Sequence, residues 1–173
     1  MTTDDTGVDA WIAETTAFDR VQSVATSRDE PASAATVADE AHVAENTARD
    51  HLERLVEMNV VLADERGGTT VYGPDPLHTR VQSLRELLDA HDHDGLVALA
   101  AQLREQIETW RETHDATTPT ELRERAATAD DAATTREIRE VAAEWELLAH
   151  RLSLVEDAVG NYDSYTRDTP TPA

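Results

Sequence analysis

The sequence predicts a mainly α-helical chain in two parts: three helices and a β-hairpin within the first 76 residues, then a longer stretch that is helical throughout. Three observations carry this. Apolar residues recur at helical spacing through most of the 173 residues. Two β-branched segments flanking a Gly-Gly pair interrupt that rhythm at 60–72. From Ile138 to Val159 the apolar positions step alternately by three and four, the signature of a heptad seam.

Met1–Gly7 is polar and acidic and is expected to be a disordered tail. From Val8 to Thr26, Trp11, Ile12, Thr15, Phe18, Val21, Val24 and Ala25 share a face, which predicts a first helix. Arg28-Asp29-Glu30-Pro31 ends it, because the residue before a proline avoids the α region. Ser33 stands at an N-cap position, and Thr36–Ala41 continues as a short second helix. After the brief connection His42-Val43-Ala44, Glu45–Met58 is a longer third helix with Ala48, Leu52, Leu55 and Val56 on one face. Asn59, which tolerates a left-handed conformation, closes it. Val60–Ala63 and Thr69–Tyr72 are expected to pair as a hairpin about the turn Arg66-Gly67-Gly68. Gly73-Pro74-Asp75-Pro76 then marks a domain boundary, giving domains at 8–76 and 77–160.

In the second part, Val81, Leu84, Leu87, Leu88 and His91 line one helix, and Leu96, Leu99, Leu103, Ile107 and Trp110 line the next. His91-Asp92-His93-Asp94-Gly95 has donors suited to a metal, but a helix would point the two His to different faces, and the stretch is read as a solvated loop with the metal reading left open. A short helix surrounds Leu122. The seam Ile138, Val141, Trp145, Leu148, Leu152, Val155 and Val159 is expected to pair two copies as a coiled-coil-like dimer interface. Residues 161–173, which contain prolines, are expected to be a disordered tail.

The charge is the strongest compositional signal. The chain has 36 acidic and 15 basic residues, a net charge of −21, and every basic residue is Arg. A self-repelling carboxylate surface stays hydrated when molar salt screens its charges, so the composition points to a salt-rich cytoplasm. With no Cys, disulfides and thiolate metal sites are excluded. The start of the chain lacks the charged and apolar regions of a signal peptide, and the longest apolar run, Leu96–Ala101, is too short to span a bilayer. A cytoplasmic protein without membrane contact is expected.

The order helix, helix, turn, helix, strand, turn, strand over residues 9–76 is that of a winged helix-turn-helix. A helix after such a turn fits the major groove and presents its N-terminal residues to base edges. The segment Thr36-Val37-Ala38-Asp39-Glu40-Ala41-His42-Val43-Ala44-Glu45-Asn46-Thr47-Ala48-Arg49-Asp50-His51-Leu52, running on through Glu53-Arg54-Leu55-Val56-Glu57-Met58-Asn59-Val60-Val61, resembles the winged-helix regulators of the ArsR, MarR and TrmB type. The composition is also similar to that of winged-helix regulators from halophilic archaea. The resemblance covers under half of the chain and implies a sequence-specific transcriptional regulator that binds double-stranded DNA as a homodimer. It places Glu45, Asn46, Thr47, Arg49 and Asp50 on the exposed recognition positions. Asn46 can contact adenine and Arg49 guanine. Thr47, Arg54 and, on the wing, Arg66 suit phosphates. Ala44 departs from the family's Ser or Thr cap, and Asn59 from its Gly. Residues 46–72 hold three Arg against five carboxylates, a net of −2, so counterion release would contribute little to binding. The alternative is a winged helix used as a protein-protein interaction module. No nucleophile elbow, phosphate loop or dinucleotide fingerprint is present, so neither an enzyme nor a cofactor is expected.

Overall fold

A computed structural model of the chain describes residues 3–127 and 131–166. It is mainly helical, with one small antiparallel sheet. The chain divides into two compact units between Val81 and Gln82.

The first unit begins with α1 (Thr3–Glu14), so residues 3–7 are helical where a disordered tail was expected. The segment contains no proline, and extending a helix is cheaper than nucleating one. The single helix expected over 8–26 is in fact two, α1 and α2 (Ala17–Ser27). The break is chemical. Thr16 and Asp19 form a capping box, in which the Thr16 hydroxyl accepts from the Asp19 N–H at 3.1 Å and the Asp19 carboxylate accepts from the Thr16 N–H at 3.2 Å. Such reciprocal capping starts a new helix even inside an unbroken apolar rhythm.

Arg20, one turn into α2, is only 7% exposed. Its Nη1 donates to the carbonyls of Thr15 at 2.7 Å and Ile12 at 3.3 Å, at the end of α1. Its Nε donates to the carbonyl of Ala41 at 2.9 Å, the last residue of α3 (Ala34–Ala41). Two helix C-termini, each carrying partial negative charge and unpaired carbonyls, thus converge on one buried cation.

Ser33 caps α3 as expected, accepting from the Thr36 N–H at 3.2 Å. α4 (Glu45–Glu57) ends at Met58, and Asn59 takes the left-handed conformation expected of it, with φ of 56°. β2 (Val61–Arg66) and β3 (Thr69–Pro74) pair with Arg66 opposite Thr69, each two residues longer than the sequence pattern suggested. Arg66 therefore ends a strand, and the turn is Gly67-Gly68 alone. Both have positive φ, 59° and 79°, the geometry of a type I′ turn. β1 (Ala32–Ser33) was not foreseen; it pairs with Tyr72 and Val71 of β3 and makes the strand order β1-β3-β2. Two residues have no legible period. Gly73 suits the place where Pro31 lies over β3, since an added Cβ would meet Pro31 Cγ tightly, at 3.0 Å. Val21, Ala25, Val37, Ala41, Ala48, Leu52, Leu55, Val61 and Tyr72 close the core beneath this sheet.

α5 (Pro76–Ala90) contains the division between the units, a few residues beyond the expected boundary at 76/77. The second unit continues with α6 (His93–His114), α7 (Pro119–Ala127), α8 (Ala132–Gly160) and the short α9 (Tyr162–Tyr165). The His91–Gly95 stretch is largely exposed as expected, but only His91 and Asp92 are non-helical and α6 already begins at His93. Asp92 caps α6 by accepting from the Gly95 N–H at 2.9 Å, and His93 packs edge-on against Tyr162 at 5.2 Å. The tail expected from 161 onward starts as helix, because Asn161 Nδ2 donates to Asp157 Oδ1 at 2.8 Å and Tyr162 joins the apolar cluster of α6 and α8. Residues 167–173 of that tail lie outside the described residues, as do residues 1–2 of the first.

The heptad seam packs inside one chain. Trp145 (2% exposed) sits with Ile107, Ala116, Leu122 and Ala142; Val155 (0%) sits with Leu84, Leu96, Ala100 and Leu103. Ile138, Val141, Leu148 and Leu152 are half-buried against the same clusters. A seam expected to pair two copies is thus occupied by α6 and α7 of its own chain, and Trp145 and Val155 have no free surface left for a partner. The heptad rhythm is the same for both outcomes, since an antiparallel helical hairpin uses the same ridge packing as a coiled coil.

Two stability predictions follow from these contacts. Replacing Arg20 by Met should lower the unfolding free energy by roughly 2–4 kcal/mol, because three carbonyls lose a charged donor. Trp145→Ala should cost about 3–5 kcal/mol as a cavity substitution. Denaturant titration followed by far-ultraviolet circular dichroism measures both; a loss under 1 kcal/mol for either would contradict the corresponding packing.

Candidate nucleic-acid interface

The connection between α3 and α4 sets how α4 is presented. His42 leaves α3 in a left-handed conformation, φ 51°, and Val43 N–H returns to the Ala38 carbonyl at 3.0 Å. Ala44 is the N-cap residue of α4 and supplies no side-chain hydrogen bond. The other helix starts differ. Thr16, Ser33, Asp75, Asp92, Thr118 and Asp131 each accept a backbone N–H at the beginning of α2, α3, α5, α6, α7 and α8. From α2 to α8, and among the described residues, α4 is the helix that begins without a side-chain hydrogen bond to its amides.

The residues singled out from the sequence occupy this end of α4 and its surroundings. Glu45, Asn46, Arg49 and Asp50 are exposed and Thr47 is half-buried, while Ala48, Leu52 and Leu55 face the core. Glu45, Asn46 and Arg49 form one network. Arg49 Nη2 donates to Glu45 Oε1 at 2.5 Å, and Nη1 reaches Asn46 Oδ1 at 3.4 Å. Arg54, a turn further on, lies over the Phe18 ring at 5.2 Å from its centre, and the same ring meets His51 edge-on at 5.5 Å. Arg66, at the hairpin end, pairs with Asp64 at 3.5 Å. All three cations therefore have partners within their own unit, but each is a surface contact of the kind worth about 0–1 kcal/mol and exchangeable for a stronger acceptor.

Sequence reasoning missed two contributors. Phe18 packs against the core as its helical face implied, but its ring also carries Arg54. Tyr72 was read simply as a strand residue. It lies buried under α4, where burial and the negative charge of Glu53 push its phenol up, and Arg49 pulls the other way. Strand alternation on β3 puts it on the opposite face from Val71, but nothing in the sequence paired it with α4.

Carboxylates at the helix starts are held below their ordinary range. Asp19 is lowered by the Thr16 hydroxyl and then by the Thr16 amide, Asp131 by the Thr134 amide and then its hydroxyl. Glu121 is lowered by the amide of Thr117, and Glu146, in the middle of α8, is lowered by the guanidinium of Arg123. A cleft of about 420 Å³ in the second unit, floored by Ile107, Trp145 and Leu152, is rimmed by Arg104, Arg111 and Glu156. Among the described residues no helix is long and apolar enough to cross a membrane.

The family model described as a family of unknown function, DUF7342, matches residues 15–164. The chain belongs to this family. The match begins just before the Thr16 capping box and runs through both units. No curated protein matches the chain. A solved structure described as a transcriptional regulator aligns over 91% of this chain and 92% of its own, at 16% identity and a TM-score of 0.35, a likeness too low to carry an assignment.

The lowered carboxylates imply a pH dependence. A group that ionises more readily in the folded chain stabilises it above the ordinary carboxylate range and ceases to as pH falls through its depressed value. In molar KCl, where long-range repulsion is screened, the thermal midpoint should hold from neutral pH to about 5 and fall below about 4. A midpoint that rises steadily into acid would show that residual self-repulsion outweighs the caps.

Proposed function

We propose that residues 17–74 act as a winged helix-turn-helix, and that the protein is a sequence-specific DNA-binding transcriptional regulator working as a homodimer. In this reading α3 and α4 are the helix-turn-helix, α4 enters the major groove, and the β2–β3 hairpin is the wing. The observation that carries it is the N-terminal face of α4. Asn46 and Arg49 stand exposed at the end that meets base edges in this geometry, and the uncapped amides behind Ala44 suit a phosphate. The sequence resemblance over Thr36–Val61 assigns the same residues.

Asn46 would read adenine and Arg49 guanine, with Thr47, Arg54 and Arg66 on phosphates. Glu45 and Asp50 bring two carboxylates to the same face, without a base contact of their own. Pairing of two copies would place two such helices about 34 Å apart on successive turns of the groove. Because Trp145 and Val155 are filled from within, the pairing surface would use the exposed edge of α8, where Leu147 is 69% exposed beside the half-buried Leu148. A second reading, a protein-protein interaction module, is favoured by one observation: Arg49, Arg54 and Arg66 are all engaged within their own unit.

Selection from random-sequence duplexes in molar KCl separates the two. The regulator should enrich a two-part site, Arg49→Ala should weaken binding to it roughly ten- to a hundredfold, and Arg123→Ala, in the second unit, should not. Enrichment of no sequence would favour the interaction module, and equal losses from both variants would remove α4 from the contact. Light scattering on the purified chain tests the dimer; a monomer mass at micromolar concentration would rule out constitutive pairing.

A further inference from the structure

We propose that Glu45 is a positioning residue for Arg49: it fixes the guanidinium for a guanine contact, at the cost of repelling DNA when salt is low. This rests on the DNA-binding reading above. Glu45 is the first residue of α4, and Arg49 follows one turn later on the same face. Oε1 of Glu45 takes Nη2 of Arg49, which lays the side chain toward the helix N-terminus. The opposite edge of the guanidinium is nearly free, its Nη1 meeting only Asn46 Oδ1 at the long distance of 3.4 Å. A guanidinium held by one edge can present the other, planar and oriented, to guanine O6 and N7. Asp50 is the contrast. It is exposed on the same helix and has no ion pair among the described residues, so its carboxylate contributes charge without orientation.

The two effects of Glu45 respond differently to salt. Repulsion between its carboxylate and phosphates acts across several ångströms of solvent, and screening shortens from about 10 Å at 0.1 M to about 3 Å at 1 M. A contact pair at 2.5 Å lies inside even the shorter length. At low salt the repulsion dominates; at molar salt the orienting contact remains and the repulsion is largely gone. Glu45 therefore changes from hindering DNA binding to helping it as salt rises.

The test measures binding of the selected duplex, and of one with its guanine replaced, by the wild type, Glu45→Ala and Asp50→Ala from about 0.2 to 2 M KCl. Glu45→Ala is expected to bind about three- to tenfold more tightly than wild type at the low end. At the high end it should bind about threefold more weakly and lose most of its preference for guanine, so that the two curves cross. Asp50→Ala should be tighter at low salt and converge on wild type without crossing. Curves for Glu45→Ala that converge like those of Asp50→Ala, with guanine preference intact, would overturn the positioning role while leaving the DNA-binding reading in place. Absence of selective binding by the wild type at every salt concentration would remove both together. Circular dichroism of each variant, both changed at exposed positions, separates these outcomes from misfolding.

Discussion

The first unit depends on one buried cation. Arg20 has no carboxylate within ion-pair distance among the described residues, yet it is almost wholly removed from water. A buried charge without compensation would be prohibitively costly. Here the compensation comes from backbone, through carbonyls at the negative ends of α1 and α3. The geometry has a consequence for α4. The Ala41 carbonyl that Arg20 holds belongs to the residue immediately before His42, whose left-handed turn redirects the chain into α4. The turn that leads into α4 is thus anchored by a side chain on α2, 21 residues before Ala41. Arg suits this role better than Lys, because its planar fork serves two carbonyl directions at once and is less strongly hydrated.

The second unit uses the same device at its surface. α6 ends at Asp115 in a left-handed conformation, and Arg125 of α7 donates to the carbonyls of His114, at 2.6 Å, and Asp115. Arg104 bridges α6 to Glu156 of α8 at 2.7 Å, and Arg123 joins α7 to Glu146 of α8. In a chain so rich in carboxylates, Arg104, Arg123 and Arg125 serve as helix-to-helix and helix-end ties in this unit. The apolar core between them is narrow: alanines at 100, 142 and 158 let the helices approach closely around Trp145 and Leu154.

The elements with strong local signals were legible in the sequence. The helices at 34–41, 45–57 and 132–160, the Gly-Gly hairpin and the left-handed Asn59 all follow from period, cap or turn chemistry. What was not legible depended on distance in sequence. The apolar period runs straight through Thr15 and Thr16, so the break there is visible only as a Thr-x-x-Asp cap competing with the period. β1 is two residues that exist only because β3 offers them an edge. Arg20 looked like one polar residue on a helix, and its burial is set by α1 and α3 together. The seam of α8 was recognised as apolar and periodic, but periodicity does not say whether the matching surface belongs to the same chain. Of the candidate site, the exposed positions 45, 46, 49 and 50 could be read from helical phase alone; the engagement of Arg54 by Phe18 could not, because it requires knowing that α2 crosses α4.

Ala44 is where the chain departs from its own habit. Six other helices begin with a hydroxyl or carboxylate that accepts a backbone amide, and an alanine in that place forgoes about 1 kcal/mol of stability. A small acceptor side chain would fit sterically, since Ala44 is exposed and has the extended backbone of an ordinary N-cap. Packing therefore does not demand alanine. Hydrogen bonding argues against it, and a local rule broken without a structural gain is the usual mark of a surface kept for something else. A Ser or Asp at 44 would occupy the first-turn amides that an incoming phosphate would use, and an Asp would add a further charge beside Glu45. The same reasoning explains why the carboxylate of Glu45 is tolerated at this end. It complements the helix dipole in place of a cap, and it does so from a side chain turned toward Arg49 instead of one folded over the amides.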